Sequence, residues 1–432
     1  MLVKKLIFVY NELTRKQDLK MNLDNYKIIE IKKCRSCGSS DFKNILSLGS
    51  QYLSDFVAKG IRPKKFPLTL ILCNSCSLLQ LKHNIPASSL YTERYGYKSG
   101  INNTMREELK NIVGLALKAL GLKSKSLIAV DIGANDGTLL SYYGKDIFRI
   151  GVEPVKKFAK ECKKYANVVI NDFFNYKSYF KKIGLQKAHL ITAISCFYDI
   201  SDPNRFLADL VKILHKKGIL VIQQNYLVGM IKQNAFDNIV HEHLEYYSLL
   251  SLESLLKRHG LEVFAVEQTP INGGSFRTYI ANQGKREIEG SVYEMRKNEE
   301  KLKLRKNKIY EDFAKRVNEN KKKLYKLIVS LRKKNKTIYI YGASTRGNTL
   351  LQFYNLDHNL IQKAVERNSE KWGKKITSVG IPIISEEQGR SEMPDYMLVL
   401  PWFFKEEFLK REKRYLDSGG HFIFPLPKIE II

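Results

Sequence analysis

Long apolar runs are missing from this 432-residue chain. None approaches the roughly 18 residues that a membrane-crossing helix needs. The opening stretch MLVKKLIFVYNELTRKQDLKMN carries basic residues and a short apolar run, but no small-residue cleavage site of a secretory signal. Met21 is a candidate true start, which would make the first twenty residues dispensable. These absences predict a cytoplasmic protein without a membrane partner. Solenoid-period repeats and low-complexity tracts are absent as well. Acidic residues are scarce, with 44 Asp and Glu against 73 Lys and Arg, a formal charge of +29. Such an excess suits nucleic acid or an anionic surface. However, no nucleic-acid motif accompanies it and the lysines are spread along the whole chain, so nucleic acid is not the expected partner. The same field attracts a phosphorylated small substrate. Cysteine and histidine are few, at six and eight. In a reducing compartment those cysteines read as ligands before disulfides.

The rest is ample for folded domains: 44% hydrophobic and 11% aromatic residues. Four of the six cysteines fall before residue 90, which predicts a small N-terminal domain over 1–90. From 91 to 285, short β-branched runs such as SLIAVDIG, RIGVEP, AHLITAIS and KGILVIQQ alternate with segments of helical spacing. That alternation predicts an α/β domain with helices on both faces of a parallel sheet. Residues 286–336 are Lys/Glu-rich with helical spacing and read as a helical linker of one or two long helices. A second α/β unit occupies 337–432, opening with KTIYIYGASTRGNTLL.

Cys34, Cys37, Cys73 and Cys76 form two C-x2-C pairs separated by 35 residues. Four thiolates converging from two tight turns suit tetrahedral zinc, and four closed ligands make that zinc structural. Cys162 and Cys196 read as core residues.

The stretch AVDIGANDGTLL is a strand, a glycine turn and a helix start, but lacks G-x-G-x-x-G. Gly133 and Gly137 bracket Ala134, Asn135 and Asp136 instead. Asp131 ends the strand and suits a cationic ligand amine. Glu153, ending the next strand, can take both hydroxyls of a ribose. This set resembles the S-adenosylmethionine site of class I methyltransferases, with Asp172 as a further contact to the adenine amino group. The turn YGASTRGNTL, with Gly342, Arg346 and Gly347, lacks the Gly-Lys of a P-loop. It reads either as a diphosphate cradle at a helix N-terminus or as a structural tight turn.

The stretch VHEHLEYY places His241 and His243 around Glu242. On a helix the two imidazoles lie about 200° apart, and on a strand they share a face. The i, i+4 spacing of the HExxH zinc motif is absent. Acid–base chemistry and two ordinary structural histidines both remain open. Acid–base work near neutral pH suits histidine, whose ordinary titration falls there.

Together, the four cysteines, YTERYGYKSGINNTM, DIGANDG, HEHLEYYS, NGGSFR, YGASTRGNTLLQ and the final GGHFIFPLPKIEII resemble the sugar-nucleotide C-methyltransferase family. The resemblance runs from Cys34 to the end. It implies a zinc-binding N-terminal domain, a central Rossmann-like methyltransferase domain and a C-terminal Rossmann-like domain. It also implies S-adenosylmethionine as methyl donor and a nucleoside-diphosphate 4-keto-6-deoxy sugar as acceptor, methylated on a carbon beside the ketone. His243 takes the family's base position, Glu242 assists, Tyr97 is the catalytic phenol, and Tyr95, Asn272 and Arg277 map to the sugar pocket. The chain departs from the pattern at Val240 (commonly Tyr), at Asp199 (often His) and at Glu108 (frequently His). Those departures leave sugar O-methylation or non-catalytic nucleotide or S-adenosylmethionine binding as alternatives, and the positive charge leaves nucleic-acid methylation as another. The oligomeric state is not legible.

Overall fold

The computed structural model describes residues 28–53, 56–57, 64–93, 95–123 and 126–432. The candidate start at Met21 and the basic leader lie outside them. Among the described residues, no helix is long and apolar enough to cross a membrane.

The N-terminal unit is a small antiparallel sheet of β1 (Phe42–Tyr52), β2 (Lys65–Cys73) and β3 (Leu79–Leu81). Alternating leucines on these strands, among them Leu46, Leu48, Leu68, Leu70 and Leu72, turn one face inward. A fourth strand comes from far along the chain. Glu245–Tyr246 pairs antiparallel with β3, Glu245 opposite Gln80 and Tyr246 opposite Leu79. The segment after VHEH is therefore an edge of the cysteine-bearing sheet.

The central unit is entered through α1 (Asn103–Leu120). Asn102 caps it by accepting from the Met105 amide, and Gly121 ends it in the left-handed region at φ +66°. Met105, Leu109, Ile112, Val113, Ala116 and Leu120 form its buried stripe. The sheet contains β4 (Ile128–Ile132), β5 (Phe148–Val152), β6 (Val168–Ile170), β7 (Ala188–Ile194), β8 (Leu214–Asn225), β9 (Leu261–Thr269) and β10 (Ser275–Asn282). Their spatial order is β9-β10-β8-β7-β4-β5-β6. All neighbours are parallel except β10, which runs antiparallel to β8 and β9. This is the class I methyltransferase sheet. Both faces are covered, so the middles of the strands are largely apolar and buried. The buried polar exceptions, Asp131, Thr192, Gln223, Gln224, Ser275, Arg277 and Thr278, are therefore informative.

The C-terminal unit is a second doubly wound sheet. It contains β11 (Ile338–Tyr341), β12 (Lys363–Glu366), β13 (Ile381–Ser385), β14 (Tyr396–Val399) and β15 (His421–Phe424), ordered β15-β14-β11-β12-β13 and all parallel. Between the two sheets run helices Gly290–Lys301 and Lys308–Lys333. The second, about 39 Å long at 1.5 Å per residue, is more than a solvated bridge. Its stripe of Tyr310, Phe313, Val317, Leu324, Ile328 and Leu331 shares one apolar core with the C-terminal sheet, the N-terminal leucines and Phe236, Ile239 and Leu244. That core places the VHEH segment where the three units meet.

Candidate active site and metal centre

The four cysteine sulfurs lie within 4.8 Å of one another. Cys34 and Cys76 are 3.6 Å apart, and Cys37 and Cys73 are 3.5 Å apart. A tetrahedron of Zn–S bonds of ~2.3 Å has edges of about 3.8 Å, so the sulfurs fit zinc and are too far apart for disulfides. Gln80 Nε2 donates to Cys34 Sγ at 3.2 Å, which orients one ligand. Among the described residues this is the only His/Cys/Asp/Glu group gathered as a metal site.

The glycine turn follows β4. Gly133 and Gly137 have φ of +75° and +83°. A Cβ on Gly137 would stand 2.9 Å from the Cys162 backbone, so that position excludes a side chain. Asp131 and Glu153 end adjacent parallel strands. Asp131 is buried and accepts from Thr192 Oγ1 at 2.6 Å, and burial pushes its carboxyl up to about 7. Glu153 accepts backbone amides of Asn135 at 2.9 Å and Val155 at 2.7 Å, and burial raises it as well. Among the described residues no cationic side chain pairs with either carboxylate. Two buried, cation-less carboxylates at neighbouring strand ends fit a ligand that brings its own positive charge and hydroxyls, as S-adenosylmethionine does.

Asn135 and Asp136 have a different use. Asn135 donates to the Tyr97 carbonyl at 3.1 Å and accepts from the Ser99 amide at 3.0 Å, while Asp136 accepts from the Gly100 amide at 3.0 Å. They lash the YGYKSG segment across the glycine turn. Asp172 stays exposed and accepts from the Phe173 amide, from Asn175, which caps the following helix, and from Ser178 in that helix's first turn. Its carboxylate serves that helix start.

The VHEH segment is neither helix nor strand; His241 and Glu242 lie in a turn. The histidines face different neighbours. His241 Nε2 bonds the Phe66 carbonyl of β2 at 3.2 Å, and burial lowers it to about 4. His243 Nδ1 bonds the Asn238 carbonyl at 2.9 Å, and its ring packs edge-on against Tyr198 at 4.4 Å. A carbonyl only accepts, so Nδ1 carries the proton and Nε2 the lone pair. Burial pushes His243 down to about 3, with the Arg346 charge adding to the effect. Titration near neutrality, expected from histidine alone, is not what this turn gives, because it is desolvated. Asn225 Nδ2 holds Asn238 Oδ1 at 3.0 Å and so steadies the same turn.

The pocket candidates separate. Tyr95 packs against Tyr91 at 5.0 Å, while Tyr97 is 48% exposed. Tyr91 donates to Asp199 Oδ2 at 2.6 Å. Arg277 is buried and bonds Gln223 Oε1 at 2.7 Å and Glu108 Oε1 at 2.8 Å. Arg346 is engaged by internal partners. Its Nε and Nη2 meet Asp237 Oδ2 at 3.0 and 2.9 Å, its Nη1 donates to the Asn272 carbonyl at 2.6 Å, and its plane covers Phe403 at 4.6 Å. Gly342 and Gly347 face Pro401 and Leu400, where a Cβ would clash at 2.6 and 2.5 Å. Ser344 caps the helix Thr345–Tyr354 by accepting from the Gly347 amide. Packing alone accounts for these glycines. Sequence reasoning missed Tyr91, Asn225, Asn238 and Tyr198. Of these, Tyr91 alone had a signal, as the first aromatic of YTERYGYKSG.

Three family models match the chain in sequence: a zinc binding domain over 34–91, a methyltransferase domain over 103–266 and a C-methyltransferase C-terminal domain over 270–427. The C-methyltransferase NovU of Streptomyces niveus is 30% identical over 413 residues, covering 93% of this chain and 97% of NovU. The chain belongs to the C-methyltransferase family. It is an S-adenosylmethionine-dependent methyltransferase, and its four cysteines hold a structural zinc. Among solved structures, a complex of the Haloferax volcanii Trm112 methyltransferase activator with a methyltransferase shows 14% identity and a TM-score of 0.34. It covers 43% of this chain and 94% of that one. An S-adenosylmethionine-dependent methyltransferase from Clostridium acetobutylicum shows 10% identity and a TM-score of 0.33, over 41% of this chain and 92% of that one.

Proposed function

We propose that this C-methyltransferase methylates a nucleoside-diphosphate 4-keto-6-deoxy sugar on a carbon beside the ketone. The observation that carries the reading is the fixed tautomer of His243. Its Nδ1 proton is committed to the Asn238 carbonyl, which leaves a neutral Nε2 as a base. Burial keeps the imidazole neutral, so Nε2 offers its lone pair, and a base held this low needs a carboxylate beside it to stabilise the imidazolium that forms. Bound S-adenosylmethionine supplies an electrophilic methyl group on a positively charged sulfur. Asp131 and Glu153 hold that cofactor's cation and ribose, and the lashed segment Tyr97–Gly100 closes over the glycine turn. His243 Nε2 takes the acidic proton beside the ketone, Glu242 steadies the imidazolium, and the electron pair left on carbon accepts the methyl. Holding both reactants over one pair of strand ends supplies much of the acceleration. The positive field of the chain favours a phosphorylated acceptor.

The test is a panel of 4-keto sugar nucleotides assayed for methyl transfer by mass spectrometry, with wild type and His243→Asn. Wild type should methylate at least one member. The variant should bind cofactor normally and turn over about 10²–10⁴-fold more slowly. In heavy water without methyl donor, wild type should exchange the α-proton and the variant should not. Methylation by His243→Asn at the wild-type rate would assign the base elsewhere.

A further inference from the structure

We infer that Tyr91 and Asp199 form the proton-donating side of the acceptor pocket, Tyr91 holding the ketone oxygen while His243 takes the neighbouring proton. This rests on the proposed carbon methylation beside a ketone.

The pair is built. Tyr91 Oη lies 2.6 Å from Asp199 Oδ2, a short bond for a phenol and a carboxyl group. The other oxygen, Oδ1, is buried and has no hydrogen-bond partner among the described residues. A buried carboxylate with one empty oxygen is costly, and a proton on it removes most of that cost.

The pair also stands beside the base. Asp199 ends the short turn Phe197–Asp199 that follows β7, and Tyr198 is the residue whose ring meets His243. The Tyr198 carbonyl accepts the Leu244 amide at 2.8 Å, which fixes this turn against the VHEH turn. Tyr91 packs on Tyr95 and on Phe173 at 6.3 Å, so its ring position is set independently of its hydroxyl. Val240 offers no phenol here, and a donor to the developing oxyanion has to come from elsewhere.

The electrostatics agree. Burial raises Asp199 well above the carboxylate range, Glu242 raises it further, and Tyr91 is the one group that lowers it. The titratable groups around it are Tyr91 and Tyr95 from the preceding loop, Cys196 and Tyr198 from its own turn, and Glu242, Glu245 and Tyr246 from the VHEH segment. None is a cation. Tyr91 is raised as well, so the phenol keeps its proton. Two turns joined through Tyr198 thus hold a group pushed down, His243, and a group pushed up, Asp199. That divergence assigns base and acid.

The step balances. The C–H electron pair becomes the C=C bond as the proton passes to His243 Nε2, and the carbonyl pair moves onto oxygen. When the ketone binds, Tyr91 O–H turns from Asp199 to that oxygen and keeps its proton, while the protonated Asp199 carboxyl donates to Tyr91 Oη across the same 2.6 Å contact. The C=C pair then forms the new C–C bond as the S–C bond breaks with its pair left on sulfur. The carbonyl re-forms, and the imidazolium proton leaves to solvent. Tyr91 is the catalytic residue and Asp199 its positioning acid.

Tyr91→Phe retains the ring packing and removes the donor. With the keto-sugar nucleotide that wild type methylates, kcat should fall about 10²–10³-fold, the loss typical of one oxyanion donor. KM should change only a few-fold, and calorimetric affinity for S-adenosylhomocysteine should not change. Asp199→Asn keeps a neutral donor to Tyr91 Oη in its carboxamide NH2 but has no ionisable proton. Wild-type kcat/KM should fall as pH rises through the Asp199 ionisation, and that alkaline limb should vanish in Asp199→Asn. If wild type methylates no keto-sugar nucleotide, the proposed function fails and this inference with it. If wild type turns over and Tyr91→Phe keeps its kcat, this inference alone is overturned. Should Tyr91→Phe lose its cofactor affinity, the pH profile of Asp199→Asn decides by itself, and a retained alkaline limb overturns the pair.

Discussion

Replacing Arg346 by alanine separates two uses of one guanidinium. Its position in YGASTRGN suggests a phosphate ligand, whereas the structure gives it an internal partner. Asp237 is 0% exposed, and its Oδ2 receives Arg346 Nε at 3.0 Å, Arg346 Nη2 at 2.9 Å and Trp402 Nε1 at 3.1 Å. Without Arg346, that carboxylate keeps a single neutral donor in a site water does not reach. Stripping one partner from a buried pair costs about 3–5 kcal/mol. Urea denaturation followed by tryptophan fluorescence is suited to the question, because Trp402 is one of two tryptophans and touches Asp237. Arg346→Ala should lose most of that stability, and adding Asp237→Asn should return a large part, since no bare charge then remains buried. His243 should also titrate higher, because the Arg346 charge helps to hold it down. If Arg346→Ala keeps its stability while KM for the nucleotide rises, Arg346 serves phosphate and the argument from Asp237 is wrong.

Three further outcomes follow from the same geometry. Elemental analysis should find one zinc per chain. Cys73→Ser should lose it, and should also lose protection from hydrogen exchange at Glu245–Tyr246, since that strand pairs with the cysteine-bearing sheet; zinc-free yet fully protected protein would contradict this. Glu153→Ala should weaken cofactor affinity by about 2–4 kcal/mol through lost charge-assisted bonds, read by calorimetry. Glu153→Gln, which keeps an acceptor for one of the two amides, should lose less. Asp131 should make cofactor affinity pH-dependent. Raised to about 7, it is neutral below that value and a carboxylate above it, so affinity for the cationic donor should climb with pH through about 7 and level off, and Asp131→Asn should flatten the curve. The stability sign is opposite. The folded state holds this proton more tightly than the unfolded chain, so stability present below about pH 4 falls as pH rises towards 7, by about 4 kcal/mol at ~1.36 kcal/mol per pH unit. A pH-independent affinity would remove Asp131 from the cofactor site.

What the sequence showed was whatever is local. The C-x2-C pairs, the glycine turn after IAVDI and the β-branched runs each occupy a few consecutive residues, and turn chemistry or period decides them. What it concealed is long-range. Nothing in EYYS marks Glu245–Tyr246 as an edge strand for Leu79–Leu81, more than 160 positions earlier. The stretch 308–333 reads as a charged linker because its lysines dominate the composition, yet its stripe from Tyr310 to Leu331 lies in the largest apolar core. Gly342 and Gly347 look like a phosphate cradle, and only Pro401 and Leu400 reveal the steric reason for them. Asn135 and Asp136 stand inside a cofactor-type loop but spend their side chains on Tyr97–Gly100.

The VHEH turn explains why a closed zinc site belongs in a methyltransferase at all. A tetrahedral four-thiolate ion has no open position and can do no chemistry on a substrate. It can fix a sheet too small to hold itself rigid. That sheet grips the turn on both sides of His243: Phe66 of β2 takes His241, and β3 pairs with Glu245. Arg35, next to Cys34, lies 3.8 Å from the buried Glu245 carboxylate and bonds Gln80 and the Leu81 carbonyl. The central sheet reaches the same turn through Asn225 and Asn238, and the C-terminal unit reaches it through Arg346 and Trp402 on Asp237. In the reaction we propose, an imidazole that presents Nε2 to a carbon acid gains from a backbone fixed at both flanks, because a misplacement of about 1 Å can cost about 10²-fold in rate. The two histidines thus divide the work by environment. His241 joins the turn to the zinc-bearing sheet, and His243, with its Nδ1 proton committed to the Asn238 carbonyl, keeps Nε2 for the base role we propose.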